Sequence, residues 1–141
     1  MSLRRFDSVR VGDGLPALAK VVTREDIAAY AEASHDRNPL HLDDDHARTR
    51  GFEGIIAHGM FTMAHLTTCI TGWLGDPSGL VHTKMSFRAA VKPGDEMVAG
   101  GEVVSVDSEV RTAKLDVWVT VQRDGTTEYP VKRSHAEVQL A

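Results

Sequence analysis

Residues 59–75, GMFTMAHLTTCITGWLG, form a nearly uncharged stretch that predicts the fold of the chain. Apolar and small side chains recur in it at the spacing of a helix, and Gly72 and Gly75 mark its end. A helix that is apolar on most sides is usually buried. We therefore predict one long buried helix from Gly59 to Trp73. Its periodic positions are Met60, Met63, Ala64, Thr67, Ile70, Thr71 and Leu74.

The sequence after this helix changes to a strand pattern. We predict strands over residues 81–89, 97–106, 110–122 and 127–140, and Asp124-Gly125 is a hairpin signal. One buried helix with an antiparallel sheet to cover it is an α+β architecture. A sheet wrapped around one long helix is the hotdog arrangement, and a length of 141 residues suits a single domain over residues 1–141.

The sequence before the helix predicts a first strand over residues 17–22 and a helix that runs to about Ser34. Thr23 is followed three residues later by Asp26, which is close to a capping box. Pro39 cannot continue a helix, so residues 35–42 form a tight connection. Residues 43–50 predict a short helix capped by Asp43, Asp44 or Asp45.

The composition excludes several classes of protein. The formal net charge is −4 and there is no run of Lys or Arg, which argues against binding to nucleic acid or to an anionic membrane. No segment approaches the ~20 apolar residues that span a bilayer. The one cysteine, Cys69, fits a reducing compartment, and residues 1–13 show no apolar signal core. We therefore expect a cytoplasmic protein.

Asp36 and His41 are the first candidates for catalysis. A continuous helix would hold residues at this spacing about 140° apart, on different faces. They converge only if the chain turns between them, and Pro39 supplies that turn while Asn38 can hydrogen-bond the neighbouring backbone. A carboxylate and an imidazole that both reach one water can activate it and return a proton.

Gly59 is the third candidate, because it opens the long helix. A helix N-terminus offers unpaired N–H groups and the positive end of the helix dipole, and glycine lets a ligand approach the backbone. An N–H there could stabilise the enolate-like charge of a transition state. We assign His58 to support of the preceding loop, with contact to the substrate as the alternative. Met60 is open between core packing and lining an acyl tunnel.

These residues carry a resemblance to a known family. Asp36-Arg37-Asn38-Pro39-Leu40-His41, with Asp43 after it and His58-Gly59 seventeen residues beyond His41, is similar to the hydratase-2 signature of MaoC-like hotdog proteins. That family includes (R)-specific enoyl-CoA hydratases and (3R)-hydroxyacyl-ACP dehydratases. The resemblance covers nearly the whole chain. The WLGDP turn at residues 73–77 and the opening arm look most like the catalytic β-subunit of the mycobacterial dehydratases.

The resemblance implies a reaction and a set of roles. Asp36 and His41 would hold and activate a water, the Gly59 N–H would polarise a thioester carbonyl, and Asn38 would support the loop. The implied reaction is reversible addition of water across a trans-2-enoyl thioester to give the (3R)-3-hydroxyacyl thioester, in fatty acid metabolism. No metal or redox cofactor is implied, since CoA or phosphopantetheine is part of the substrate. His35 departs from the family, which usually has glycine there, and is expected to alter the loop or the substrate mouth.

Several alternatives are open. CoA is the favoured carrier, and an acyl carrier protein (ACP) is the other. A hotdog thioesterase usually places an acid on the long helix, but residues 59–73 contain none. A non-catalytic acyl-binding subunit would be expected to lack the Asp–His pair. A metal cluster of His41, Asp43, Asp45 and His46 matches no strong zinc spacing. We expect a homodimer formed edge to edge, with a heterodimer with a related subunit as the alternative.

Overall fold

The computed structural model describes all 141 residues and has one five-stranded antiparallel sheet. The strands lie in the order β1-β3-β4-β5-β2. Three α-helices follow β1, and the long third helix packs on the sheet, which gives the predicted α+β arrangement. The elements are β1 (Leu18–Val21), α1 (Arg24–Ser34), α2 (Asp44–Thr49), α3 (Gly59–Leu74), β2 (Leu80–Lys84), β3 (Glu96–Asp107), β4 (Thr112–Arg123) and β5 (Thr126–Gln139).

The core lies between α3 and the inner face of the sheet. The alternation predicted for β4 is present, since Leu115, Val117, Val119 and Val121 are each at most 1% exposed. Leu66, Ile70 and Leu74 of α3 are completely buried and belong to the same apolar cluster as the β4 residues Leu115, Val117 and Val119. Helix and sheet therefore cover each other's apolar faces, as the strand period and the helix period require.

The prediction that α3 is buried on most sides is wrong for the single chain. The helix is covered on the face that carries Leu66 and Ile70, while Met60, Ala64 and Thr68 are exposed. A single sheet has one inner face and can cover only one side of a helix. The exposed side consists of small or flexible residues four positions apart, so it forms one continuous stripe along the helix.

The strand predicted over residues 81–89 is also partly wrong, because β2 ends at Lys84. The Ser86 N–H donates to the hydroxyl of Ser134 at 2.8 Å instead of to a backbone carbonyl. Pairing with β5 resumes only as an isolated bridge between Phe87 and Val131. A buried hydroxyl thus replaces a ladder bond, which alternation of apolar residues does not reveal.

The helix starts agree with the capping predictions. Thr23 and Asp26 form a reciprocal capping box at the start of α1. Asp43 caps α2, since its side chain accepts from the N–H groups of Asp45 and His46. None of the helices has the length and apolar content needed to cross a bilayer.

Candidate active site

The loop after α1, residues 35–42, is held by short-range hydrogen bonds; we call it the dyad loop. His35 leaves the helix in the left-handed conformation, with φ 61° and ψ 14°. The Asp36 N–H donates to the Ser34 hydroxyl at 3.2 Å, and the Asn38 N–H donates to the Asp36 carboxylate at 3.2 Å. The carboxylate is therefore fixed on one side by backbone while its residue remains exposed.

Asn38 and Pro39 produce the turn that the sequence predicts. Residues Pro39–His41 form one turn of 3-10 helix. The Asn38 side-chain oxygen accepts from the Leu40 N–H at 3.0 Å, and its carbonyl accepts from the His41 N–H at 3.0 Å. Asn38 thus caps the turn that carries His41 back toward Asp36.

The orientation of His41 is set by the backbone of the segment before α3. The His41 Nδ1 lies 2.7 Å from the carbonyl oxygen of Ile56, and Ile56 in turn donates its N–H to the Leu40 carbonyl at 3.1 Å. A carbonyl only accepts, so Nδ1 carries the proton of the neutral ring. Nε2 is then the ring nitrogen that is free to accept a hydrogen bond from a water.

Asp44 holds this segment in place. Its carboxylate accepts from the Ile55 N–H at 2.9 Å and pairs with Arg24 at 2.7 Å. The backbone hydrogen bond from Ile55 and then the guanidinium of Arg24 keep the pKa of Asp44 below its usual range. Asp44, the first residue of α2, therefore holds the backbone next to the Ile56 carbonyl that orients His41. The sequence does not indicate this role.

His58 links the parts of the site. It is 2% exposed, its Nε2 lies 2.9 Å from the carbonyl oxygen of Asp36, and its ring stacks on that of His41 with centroids 3.8 Å apart. Tyr30 of α1 packs edge-on against it at 4.8 Å. Because Nε2 donates to a carbonyl, Nδ1 of the neutral ring is the acceptor, and that atom is buried without a partner.

The acid and the imidazoles are close enough to act on one small molecule. A carboxylate oxygen of Asp36 and a ring nitrogen of each of His41 and His58 lie within 4.8 Å of one another. One water that hydrogen-bonds two groups can bridge such a separation, at about 2.8 Å from each. The structure thus brings together Asp36 and His41, the two residues that the sequence proposes as an acid–base pair.

The N-terminus of α3 lies next to Asp36 and His41, because His58, which stacks on His41, is the residue before the helix. His58 makes no side-chain cap, and the N–H groups of Gly59 and Met60 have no protein partner. A Cβ built on Gly59 would lie 3.6 Å from the ring of Phe87, so the aromatic ring stands directly over this glycine. Met60 is 56% exposed, which removes core packing as its role in the single chain.

The alternative metal cluster does not assemble around His41. The Asp43 carboxylate accepts hydrogen bonds at the start of α2, and the Asp45 carboxylate pairs with Arg48 at 2.8 Å. The structure instead adds groups that the sequence did not indicate. Tyr30 and Phe87 contact the site only through tertiary packing, so neither has a signal in its local sequence.

A carboxylate, an imidazole base and a helix N-terminus around one small volume define a site that can add water to a carbonyl-activated double bond or remove it. The comparisons with known proteins agree. Residues 9–126 match the model of the MaoC-like domain. The chain belongs to the MaoC-like family of hydratases and dehydratases.

The relatives carry names from both branches of this family. A mitochondrial 3-hydroxyacyl-[acyl-carrier-protein] dehydratase from Arabidopsis thaliana is 41% identical over 104 residues, which are 68% of this chain and 60% of that protein. An (R)-specific enoyl-CoA hydratase from Rhodospirillum rubrum is 30% identical over 120 residues, 84% of this chain and 83% of that protein. The chain thus spans less than two thirds of the plant relative.

A solved structure confirms the hotdog fold. The (R)-hydratase from A. caviae involved in PHA biosynthesis has a TM-score of 0.83 and 31% identity, covering 95% of this chain and 98% of that one. The curled five-stranded sheet around α3 is therefore the fold of an (R)-hydratase.

Proposed function

We propose that this chain reversibly adds water across a trans-2-enoyl thioester to give the (3R)-3-hydroxyacyl thioester, with CoA as the favoured carrier. One observation carries the proposal: the His41 ring is oriented by its Nδ1 contact with the Ile56 carbonyl, and a ring nitrogen lies within 4.8 Å of an Asp36 carboxylate oxygen. The names of the relatives support the same reaction.

Water is the molecule on which this pair acts. The Asp36 carboxylate accepts a hydrogen bond from one O–H of the water, and this hydrogen stays on the oxygen. Nε2 of His41 removes the other hydrogen as a proton while the oxygen adds to C3 of the enoyl group. The electron pair of the double bond moves toward the thioester carbonyl. The proton is then returned to C2, which restores the carbonyl, so the overall change is addition of one water. Dehydration is the same path in reverse.

The negative charge on the thioester oxygen is the part of the reaction that α3 stabilises. The unpartnered N–H of Gly59 points out of the first turn of the helix, where the dipole favours negative charge. An oxyanion donor of this kind typically lowers a barrier by ~3 kcal/mol. A Cβ on Gly59 would be in van der Waals contact with the Phe87 ring, so this ring closes one side of the volume next to the Gly59 N–H.

We propose that the reaction needs no metal and no redox cofactor. The donor atoms of Asp36, His41 and His58 spread over a distance of up to 4.8 Å, whereas the ligands of a tetrahedral zinc are about 3.4 Å apart. That spread suits a bound water better than an ion. Full activity after dialysis against EDTA would support this, and a loss that zinc restores would contradict it.

The experiment that tests the reaction is hydration of crotonyl-CoA, followed at the absorbance of the enoyl thioester. Asp36→Asn and His41→Ala should each lower kcat by about 10²–10⁴-fold, because each removes one partner of the water. Asp45→Asn and His46→Ala are matched controls in α2 and should retain wild-type activity. Equal rates for wild type, Asp36→Asn and His41→Ala would overturn the proposal.

The carrier, the assembly and the location of the chain are finer proposals. Comparing crotonyl-CoA with a crotonyl-ACP tests the alternative that the chain is a subunit of a fatty acid synthesis dehydratase. We propose a homodimer, with pairing to a related hotdog subunit as the alternative outcome. We also propose a cytoplasmic location. One relative is mitochondrial by name, so cell fractionation is the test of this proposal.

A further inference from the structure

Three cations without a partner lie near the edge of the sheet that carries β2. Arg88, Lys132 and Arg133 are exposed and form no ion pair. Arg24 and Arg37 differ, since each of them is bound to a carboxylate. In a chain with a net charge of −4, this group is a local site of positive charge.

A β-bulge brings two of these cations together. Lys132 and Arg133 both lie opposite Trp118, because the register between β4 and β5 shifts there. Arg133 adopts φ 52°, a left-handed conformation that glycine would take without strain. Bulges re-aim side chains and are frequent beside active sites. An arginine kept at a strained position is therefore a reason to look for a ligand.

The same residues line a cleft on the outer face of the sheet. Its volume is about 490 Å³, and the Lys132 ammonium lies 4.3 Å from the centroid of the Tyr129 ring. One carboxylate, that of Asp116, also borders it. Two cations with two aromatic rings form a surface that suits a phosphate joined to a flat ring. The full lining is Asp116, Val117, Trp118, Tyr129, Lys132, Arg133 and Ser134.

A short path connects these cations with the candidate active site. The ring of Phe87 stands over Gly59, and the backbone of Phe87 forms a bridge with Val131, the residue before Lys132. The Arg88 N–H donates to the Pro130 carbonyl, which puts Arg88 diagonally across the same pair from Lys132. One ring contact, one strand spacing and one residue place the Lys132 backbone within roughly 15 Å of Gly59.

We propose that Arg88, Lys132 and Arg133 bind the phosphate that ends the pantetheine arm of the thioester substrate. This rests on the proposed function, in which the thioester lies at Gly59. The arm has about as many bonds as four to five extended residues, so it spans up to roughly 15 Å and is long enough to reach from Gly59 to these cations. This phosphate is common to CoA and to an acylated carrier protein. Trp118 and Tyr129 would offer a stacking surface for adenine when the carrier is CoA.

Three crotonyl thioesters separate the parts of this proposal. Crotonyl-pantetheine lacks the phosphate, crotonyl-phosphopantetheine has it, and crotonyl-CoA adds the nucleotide. The variants are Lys132→Gln and Arg133→Asn, since asparagine tolerates a positive φ. Lys114→Gln, which removes an exposed charge from the outer face of β4, is the matched control. Higher wild-type kcat/KM with CoA than with phosphopantetheine would identify CoA as the source of the phosphate, and equal values would favour the carrier protein.

Each site variant should raise KM for the two phosphorylated substrates about three- to fivefold, with kcat unchanged, and the difference should shrink with added salt. KM for crotonyl-pantetheine should not change. Equal effects on all three substrates, no effect on any, or an effect on CoA alone would overturn the phosphate assignment. If wild type hydrates none of the three, the proposed function itself fails. If it hydrates all three and the variants match it, only the phosphate site fails.

Discussion

At the scale of single residues, His35 occupies a backbone conformation that favours glycine. It follows the last residue of α1 with φ 61°, the left-handed conformation that ends many helices and that glycine adopts without cost. A histidine there bears a strain of about 1 kcal/mol. The backbone thus adopts the conformation of a glycine in spite of the side chain, and a change at the substrate mouth stays a prediction.

His35→Gly should therefore stabilise the protein, by up to about 1 kcal/mol in the free energy of unfolding measured with urea. His35→Ala is the matched control and should give no gain, because alanine has the same clash at positive φ. Hydration activity should stay within about twofold of wild type, since the His35 side chain makes no hydrogen bond to the dyad loop. A glycine variant less stable than the alanine variant would contradict this explanation.

His58 is the residue whose importance the sequence understates. Its Nε2–H holds the carbonyl of Asp36, and its ring supports the ring of His41. A displacement of about 1 Å at a reacting group can cost ~10² in rate. We predict that His58→Phe, which keeps a ring but removes the donor, lowers kcat about 10²-fold with a smaller change in KM.

His58→Gln is the matched variant, because its side-chain N–H can reach the Asp36 carbonyl without a ring. It should restore most of the lost kcat if the hydrogen bond positions the dyad loop. Urea unfolding of both variants separates this effect from loss of fold. Wild-type kcat in the phenylalanine variant would show that the loop is held by other contacts.

At the scale of elements, the start of α1 gives a prediction about pH. Hydrogen bonding from Thr23, with Lys20 3.4 Å away, holds the pKa of Asp26 below its usual range. A pKa lowered by folding means that this stabilisation is present above the unfolded value, near pH 4, and is lost as the pH falls through the folded value. Asp26→Asn should therefore reduce stability at pH 7 and flatten its decline below pH 4.

The free energy of unfolding against pH, with Glu25→Gln as the matched control, measures this contribution. Thr23→Ala should cost about 1 kcal/mol at pH 7, because it removes the other half of the capping box. An acid limb in Asp26→Asn that is as steep as that of wild type would assign the pH dependence to other carboxylates.

The elements also show what the sequence could predict. Periodicity and capping residues located α1, α3 and the later strands, because these signals are local. The approach of Asp36 and His41 was predictable for the same reason, since Asn38 and Pro39 make the turn between them. The contact between His41 and the Ile56 carbonyl was not predictable, because Ile56 lies 15 residues further along the chain and only tertiary packing brings its backbone to His41. The early end of β2 depends on Ser134 in the same way.

At the scale of the whole molecule, the exposed apolar surface points to a second chain. β2 pairs with β5 on one side only and has an open edge. Val81 on this edge is 61% exposed, Phe87 just beyond it 48%, and Met60 in the first turn of α3 56%. An open edge with exposed apolar side chains favours pairing with another strand. Pairing along β2 would join two sheets and place a partner beside Gly59.

We predict that the purified chain has the mass of a dimer in solution by light scattering. Val81→Lys should shift it to monomer, because a charge on an open edge opposes strand pairing. Val110→Lys is the matched control: Val110 is 57% exposed but lies in the turn between β3 and β4, away from this edge, and its variant should remain dimeric. A monomeric wild type that becomes active only with a related hotdog chain would favour the heterodimer. A dimer unaffected by Val81→Lys would place the interface elsewhere.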